Sequence, residues 1–149
     1  MEKLNPTTAA LMTERFEHDN LIALATTDGA MPQVRAVNAY YEDSAFYIIT
    51  YAQSEKMAQL AENPNAAICG DWFTAHGIGD NLGWIRLPEN AVIAEKLRDA
   101  FTAWYGNGHV NEDDENTVIL RIRLTDGVLF HHGVRYDIDF TQGVSLCNS

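Results

Sequence analysis

The chain has 149 residues, 46% of them apolar, and its 10 Lys and Arg against 21 Asp and Glu leave a formal charge of −11. The length suits one domain, read as 1–149 with a core of about 10–140 and a C-terminal tail of 141–149. The charge excludes general nucleic-acid binding, which needs basic surface to displace counterions, and docking on anionic membranes. Any anion held here must sit in a local basic pocket.

The elements follow in order. Pro6-Thr7-Thr8 ahead of AALMTERFEHD predicts a capped amphipathic helix with Leu11, Met12 and Phe16 as its buried stripe. LIALATT, bounded by Asp28-Gly29, predicts a strand entering a hairpin. In PQVRAVNAYY the period of two puts Gln33, Arg35, Val37, Ala39 and Tyr41 on one face and Val34, Ala36, Asn38 and Tyr40 on the other. Glu42-Asp43-Ser44 turns into AFYIIT, completing a three-stranded meander.

The stretch ITYAQSEKMAQLAENPN, residues 49–65, ends a strand at Thr50 and opens a helix at Ser54 that Asn63-Pro64 closes. Two readings of Thr50, Ser54 and Lys56 stand side by side. A helix start with added hydroxyls and a lysine is a ready anion site; it is equally an ordinary Ser cap beside a solvated lysine. Arg35, mid-strand, needs an anionic partner, either a carboxylate across the barrel or a phosphate.

NAAICGDWFTAHGIG predicts one or two strands, with Gly70, Gly77 and Gly79 at bulges or bends. Cys69, in an apolar run, reads as buried. A disulfide to Cys147 is disfavoured, and no CxxC zinc pattern occurs. Pro88 opens a second helix to about Tyr105, with Ala91, Ala94, Leu97, Phe101 and Trp104 at helical spacing. Glu112 to Glu115 read as a solvated loop without the ligand spacing of a calcium site.

In TVILRIRLTDGVLFHHGVRYDIDF, Val118, Leu120, Ile122 and Leu124 alternate with Arg121 and Arg123. These arginines read as a solvated edge or as contacts to a partner's ligand. Asp126-Gly127 predicts a turn, and Tyr136 to Phe140 a further strand. His131 and His132, adjacent on a strand, point apart and do not share a metal. His76 and His109 are isolated, and the chain order gives no Ser/His/Asp or Cys/His arrangement. Trp84 reads as core or as a ring to stack on a ligand, and Trp104, at helical spacing, as core or dimer contact. The whole is mainly β (α+β), a small antiparallel closed or split β-barrel of about six or seven strands with two or three flanking helices. No apolar run is long enough to span a bilayer, and the N-terminal residues are too polar for a signal peptide, so a cytoplasmic location is expected.

Arg35-Ala36-Val37, a strand ending in Thr50, Ser54-Glu55-Lys56 and the closing Asn63-Pro64, in that order and spacing, resemble the pyridoxamine 5′-phosphate oxidase-like family of FMN-binding split β-barrels. The resemblance covers roughly residues 10 to 140. It implies a homodimer with FMN at the interface, its phosphate among Arg35, Thr50, Ser54 and Lys56, and backbone near Ala36 and Val37 facing the isoalloxazine ring. Tyr51 and Glu55 flank that site, and Trp72 lies in a strand that relatives place near the cofactor. Glu55 departs from relatives with a second basic residue there. The tail YDIDFTQGVSLCNS lacks the basic substrate motif of the vitamin-forming oxidase. The implied activity is that of a small flavin-dependent oxidoreductase acting on a small redox substrate, such as a nicotinamide, a quinone or a nitroaromatic. Alternatives are a flavin-storing protein, the same fold around a deazaflavin or heme, or a ligand-free dimeric module.

Overall fold

The computed structural model describes residues 4–148 apart from His109, and the expectation for His109 lies outside the described residues. Helix α1 is Pro6–Phe16, followed by strands β1 (Asp19–Thr27), β2 (Pro32–Glu42) and β3 (Ala45–Tyr51), then helix α2 (Glu55–Glu62). Strands β4 (Asn65–Gly70) and β5 (Phe73–Trp84) lead through a 3-10 turn at Pro88–Asn90 to α3 (Ala91–Ala100) and α4 (Thr102–Tyr105). Strands β6 (Thr117–His131), β7 (Val134–Asp139) and β8 (Val144–Asn148) complete the chain.

The sheet order is β3-β2-β1-β4-β5-β6-β7-β8, and β3 also pairs with β6. Six antiparallel strands therefore close on themselves, while β7 and β8 extend beyond the closure. Closure removes the exposed edges an open sheet would present. Met12, Phe16, Leu24, Phe46, Leu120, Ile122 and Leu129 are fully buried inside or against it. Each such side chain contributes about 1.5–3 kcal/mol by leaving water. Phe16 centres an aromatic cluster, 5.5 Å from Phe46 and 5.2 Å from Phe73. A smaller core of Ile85, Ala94, Leu97, Phe101 and Ile119 lies under α3, against the outer wall of β3 and β6.

Several expectations are corrected. The β-tail holds a strand, β8, pinned by Ser145 to Asn5 and Thr8 of the first helical turn, which makes eight strands. Asn5 is the α1 cap, accepting from Thr8 N at 3.1 Å. The second helix breaks at Phe101 into two pieces. Cys69 is exposed, because Ala66 and Ile68 take the inward positions of β4; both cysteines are free. Asp126-Gly127 is not a turn: β6 runs through it, and the hairpin lies at His132-Gly133, where both residues have positive φ. There the turn brings the His131 and His132 rings within 4.1 Å rather than to opposite faces. Arg121 and Arg123 are not on an edge but between β3 and β5, and both bind Asp80. Burial opposes ionisation of Asp80, yet the two guanidiniums hold its carboxyl below the ordinary range.

What the sequence disguises as a turn is a bulge. Against β5, Gly77 pairs with Leu124 and His76 with Asp126, so Thr125 is the extra residue. Leu120, Ile122 and Leu124 face inward before it, and Gly127 and Leu129 after it. Gly77 sits where the strands draw close: a Cβ there would lie 2.6 Å from Ile122 Cγ2 and 2.8 Å from the Arg123 carbonyl oxygen. Gly77→Ala is expected to destabilise the protein by about 2–3 kcal/mol, read as a lower urea midpoint.

The acidic loop is also not wholly solvated. Glu112 accepts from Arg98 Nε at 2.8 Å and from the Tyr105 hydroxyl, and its side chain is only 13% exposed. The Arg98 guanidinium chiefly holds this carboxyl down to about 2, from an ordinary 4.5. A depressed carboxylate contributes stability above its unfolded value and loses it as pH falls through the folded one. Glu112→Gln is therefore expected to flatten the acid limb of the urea-unfolding free energy between pH 5 and 2, by on the order of 2 kcal/mol.

Candidate functional site

The inward face of β2 carries Arg35, Val37, Ala39 and Tyr41. Ala39 and Tyr41 are buried, Val37 packs on the core, and Arg35 is half-buried at the barrel's end. Arg35 Nη1 donates to Thr26 Oγ1 at 2.6 Å and to the Leu24 carbonyl at 3.3 Å. Thr26 in turn donates to Gln59 Oε1 at 2.5 Å. Thr26 and Gln59 are both buried. This chain of bonds fixes the guanidinium against α2 while committing only one of its nitrogens.

Lys56 lies three residues before Gln59, so it shares that side of α2. Burial first, then the like charge of Arg35, push its ammonium down from the ordinary lysine value. Nine of the ten cations fall among the described residues. Arg15, Arg86, Lys96, Arg98, Arg121, Arg123 and Arg135 form ion pairs; Arg35 and Lys56 do not. In a chain of charge −11, carboxylates are plentiful. Two half-buried neighbouring cations without one need an anion from outside.

Ser54 occupies the α2 cap position with extended backbone, φ −69° and ψ 158°, yet its side chain makes no capping bond. Its Oγ is buried with no hydrogen-bond partner, the sole such side-chain atom among the described residues. The first N–H groups of the helix have no acceptor within it. A phosphate fits this set: a free hydroxyl, free N–H groups, a positive helix end and two cations.

The other predicted residues divide. Thr50, half-buried on the Phe46 and Ile48 side of β3, lies opposite Val118, one residue before the strand ends at Tyr51 on the approach to α2. Tyr51 and Glu55 are exposed, Glu55 turned to water. Ala36 is on the outer wall, paired with Ala23. Trp72 is not brought to this cluster within the chain: it is 73% exposed in the β4–β5 turn, at the far end of β4 from α2, edge-on to Phe130. Trp84 and Trp104 are packing residues, Trp104 stacked 4.9 Å from Phe101. Thr26 and Gln59 were missed. Their signal is polarity in core phase: Thr26 follows Ile22 and Leu24 at the inward period of β1.

An antiparallel barrel closed by six strands, with two cations in no ion pair beside one helix start, defines the class, and the family follows. The chain belongs to the pyridoxamine 5′-phosphate oxidase family, whose model matches residues 9–130. No curated protein matches the sequence. Among solved structures, an FAD-binding protein from Mesorhizobium loti is similar at 15% identity and a TM-score of 0.60, over 85% of this chain and 94% of that one. An F420 reductase is similar at 19% identity and 0.58, over 77% and 94%. A heme-binding protein from Mycobacterium smegmatis is similar at 17% and 0.63, over 83% and 54%. At these identities the likeness shows the fold. No helix among the described residues is long and apolar enough to cross a membrane.

A capping serine replaced by alanine costs about 1 kcal/mol. Ser54 caps nothing, so Ser54→Ala is expected to change ligand-free stability by less than about 0.5 kcal/mol in urea unfolding, or to raise it.

Proposed function

We propose that the chain is a flavoprotein that holds the phosphate of FMN between Arg35, Ser54, Lys56 and the first N–H groups of α2, and that it serves as a small flavin-dependent oxidoreductase. The observation that carries this reading is a buried hydroxyl without a partner at the α2 start, two residues before Lys56, whose charge feels Arg35 and which like Arg35 forms no ion pair. A bound flavin would supply hydride and electron transfer. The protein's part is to anchor the phosphate, orient the ring and exclude water. Thr26 and Gln59 keep Arg35 aimed, and Thr50 closes the approach.

A second copy of the chain belongs to the same reading. Leu21 and Val34 are 70% exposed and Met31 63% exposed, Leu21 and Val34 on the outer wall of β1 and β2 and Met31 in the turn between them. Exposed apolar residues gathered in this way favour burial against a partner. A homodimer covering this wall would enclose a ring that one protomer leaves open.

The test is the visible spectrum of the protein after loading with FMN and desalting, with its mass by sedimentation. Retained flavin and a mass of two chains are expected. Arg35→Ala/Lys56→Ala is expected to release the flavin, weakening it by at least about a hundredfold, since each charge-assisted bond contributes about 1.5–3 kcal/mol. A protein that releases FMN but retains deazaflavin or heme under the same protocol overturns the FMN assignment. One that retains FMN equally well in the double variant overturns the site.

A further inference from the structure

Two tight turns at the barrel end remote from α2 hold side chains in the left-handed region: Trp72, between β4 and β5, at φ +51°, and His132, between β6 and β7, at φ +50°. Residues that carry a Cβ reach that region only at a cost. The Trp72 carbonyl accepts from Phe130 N at 3.0 Å, and its ring stands edge-on to Phe130. One guanidinium then ties both turns to α1. Arg15 Nη1 donates to the Asp71 carbonyl at 2.8 Å. Its Nη2 donates to the Phe130 carbonyl at 3.1 Å and to His131 Nδ1 at 3.1 Å. The Arg15 side chain is only 15% exposed.

The bond to His131 differs in kind from the other two. A carbonyl accepts at any pH. A guanidinium only donates, so Nδ1 must offer its lone pair, and the neutral ring carries its proton on Nε2. In the imidazolium both ring nitrogens are donors, and no rotation of the ring restores an acceptor. Two cations then face each other across the 3.1 Å that the bond spanned. The groups around His131 do not offset this. Asp71, from the β4–β5 turn, has Oδ2 4.0 Å from Arg15 Nε and is 71% exposed, where water screens it. His132, from the same hairpin, has its ring 4.1 Å away, and a proton there adds to the repulsion. Arg135, across the hairpin, is taken up by Asp137.

We infer that Arg15 and His131 form an acid-released latch. While the ring is neutral, Arg15 clamps both turns to α1; when His131 takes a proton from solvent, the guanidinium leaves and the Trp72 turn comes free. The clamp is therefore present above the ordinary imidazole range, about pH 6.5, and lost as pH falls through it. The two strained turns are what the clamp restrains, so they open when it goes. The latch does not rest on the flavin reading, and none of its residues belongs to the wall of Leu21, Met31 and Val34.

The experiment follows the full chain, labelled with 5-fluorotryptophan, by fluorine NMR from about pH 8 to about pH 5, across the imidazole range. Trp72→Phe identifies the Trp72 signal by its loss. That signal is expected to move with a one-proton titration. Exchange of the Phe130 amide, taken relative to the unfolded chain at each pH, is expected to rise about tenfold at the acid end, the worth of one hydrogen bond to a charged group. Arg15→Ala should show the acid signal and the fast exchange at every pH. His131→Gln keeps an acceptor that does not titrate, so it should hold the neutral-pH signal throughout. His132→Gln should titrate as the wild type does. A Trp72 signal that ignores pH overturns the latch. A titration that survives unchanged in Arg15→Ala also overturns it, being only the field of the charged ring. So does a titration kept in His131→Gln, and this variant decides alone should Arg15→Ala not fold.

Discussion

Two like charges that have no carboxylate to neutralise them are the constraint around which the rest is arranged. Arg35 and Lys56 repel each other, and burial penalises the Lys56 ammonium as well. An acidic chain could relieve this with one well-placed aspartate. Instead Arg35 is tied to neutral partners, the Thr26 hydroxyl and the Leu24 carbonyl. Such bonds fix its direction without cancelling its charge. The strand β2 brings Arg35 to the barrel's end, the helix α2 brings Lys56, and Gln59 joins strand to helix through Thr26. Barrel closure between β3 and β6 sets where α2 begins, because β3 ends at Tyr51 and the helix follows after three residues.

Much of this was legible in the sequence. Strand β2 announced itself by alternation, and β1 and β3 as short runs bounded by turn residues at Asp28-Gly29 and Glu42-Asp43-Ser44. The Arg35 face was assigned by period alone, and Asn63-Pro64 ended α2 where expected. What stayed hidden depended on contacts remote in sequence. Nothing in the order of residues says that Ser54 lacks a capping bond, or that Thr26 and Gln59 meet 33 positions apart. The reading of Glu112 as solvated failed for the same reason, since its partners Arg98 and Tyr105 come from another element. The reading of Cys69 as buried trusted composition, whereas its strand phase put it outside.

The tail was overlooked because the apolar residues of β8, Val144 and Leu146, are exposed and join no core. It is held by side-chain bonds from Ser145 to Asn5 and Thr8 and by its ladder to β7. A strand kept by hydrogen bonds to a distant helix cap depends on partners that its own residues do not announce. Trp72, by contrast, was conspicuous in the sequence, and its place in the chain is a strained turn at φ +51°, with its ring largely in water.

The single extra residue in β6 divides the barrel's outer wall by charge. Read along the outside, the strand runs Arg121, Arg123, Thr125, and then, without skipping a position, Asp126 and Val128. Before the insertion the wall is cationic and drawn together by Asp80; after it the wall is an imidazole–carboxylate pair over alanines. One residue thus acts as a boundary marker between two chemical territories on a continuous ribbon. Polar molecules meeting the barrel from outside encounter opposite electrostatic invitations within a few ångströms, while the hydrophobic interior on the other side of the same strand registers no break at all.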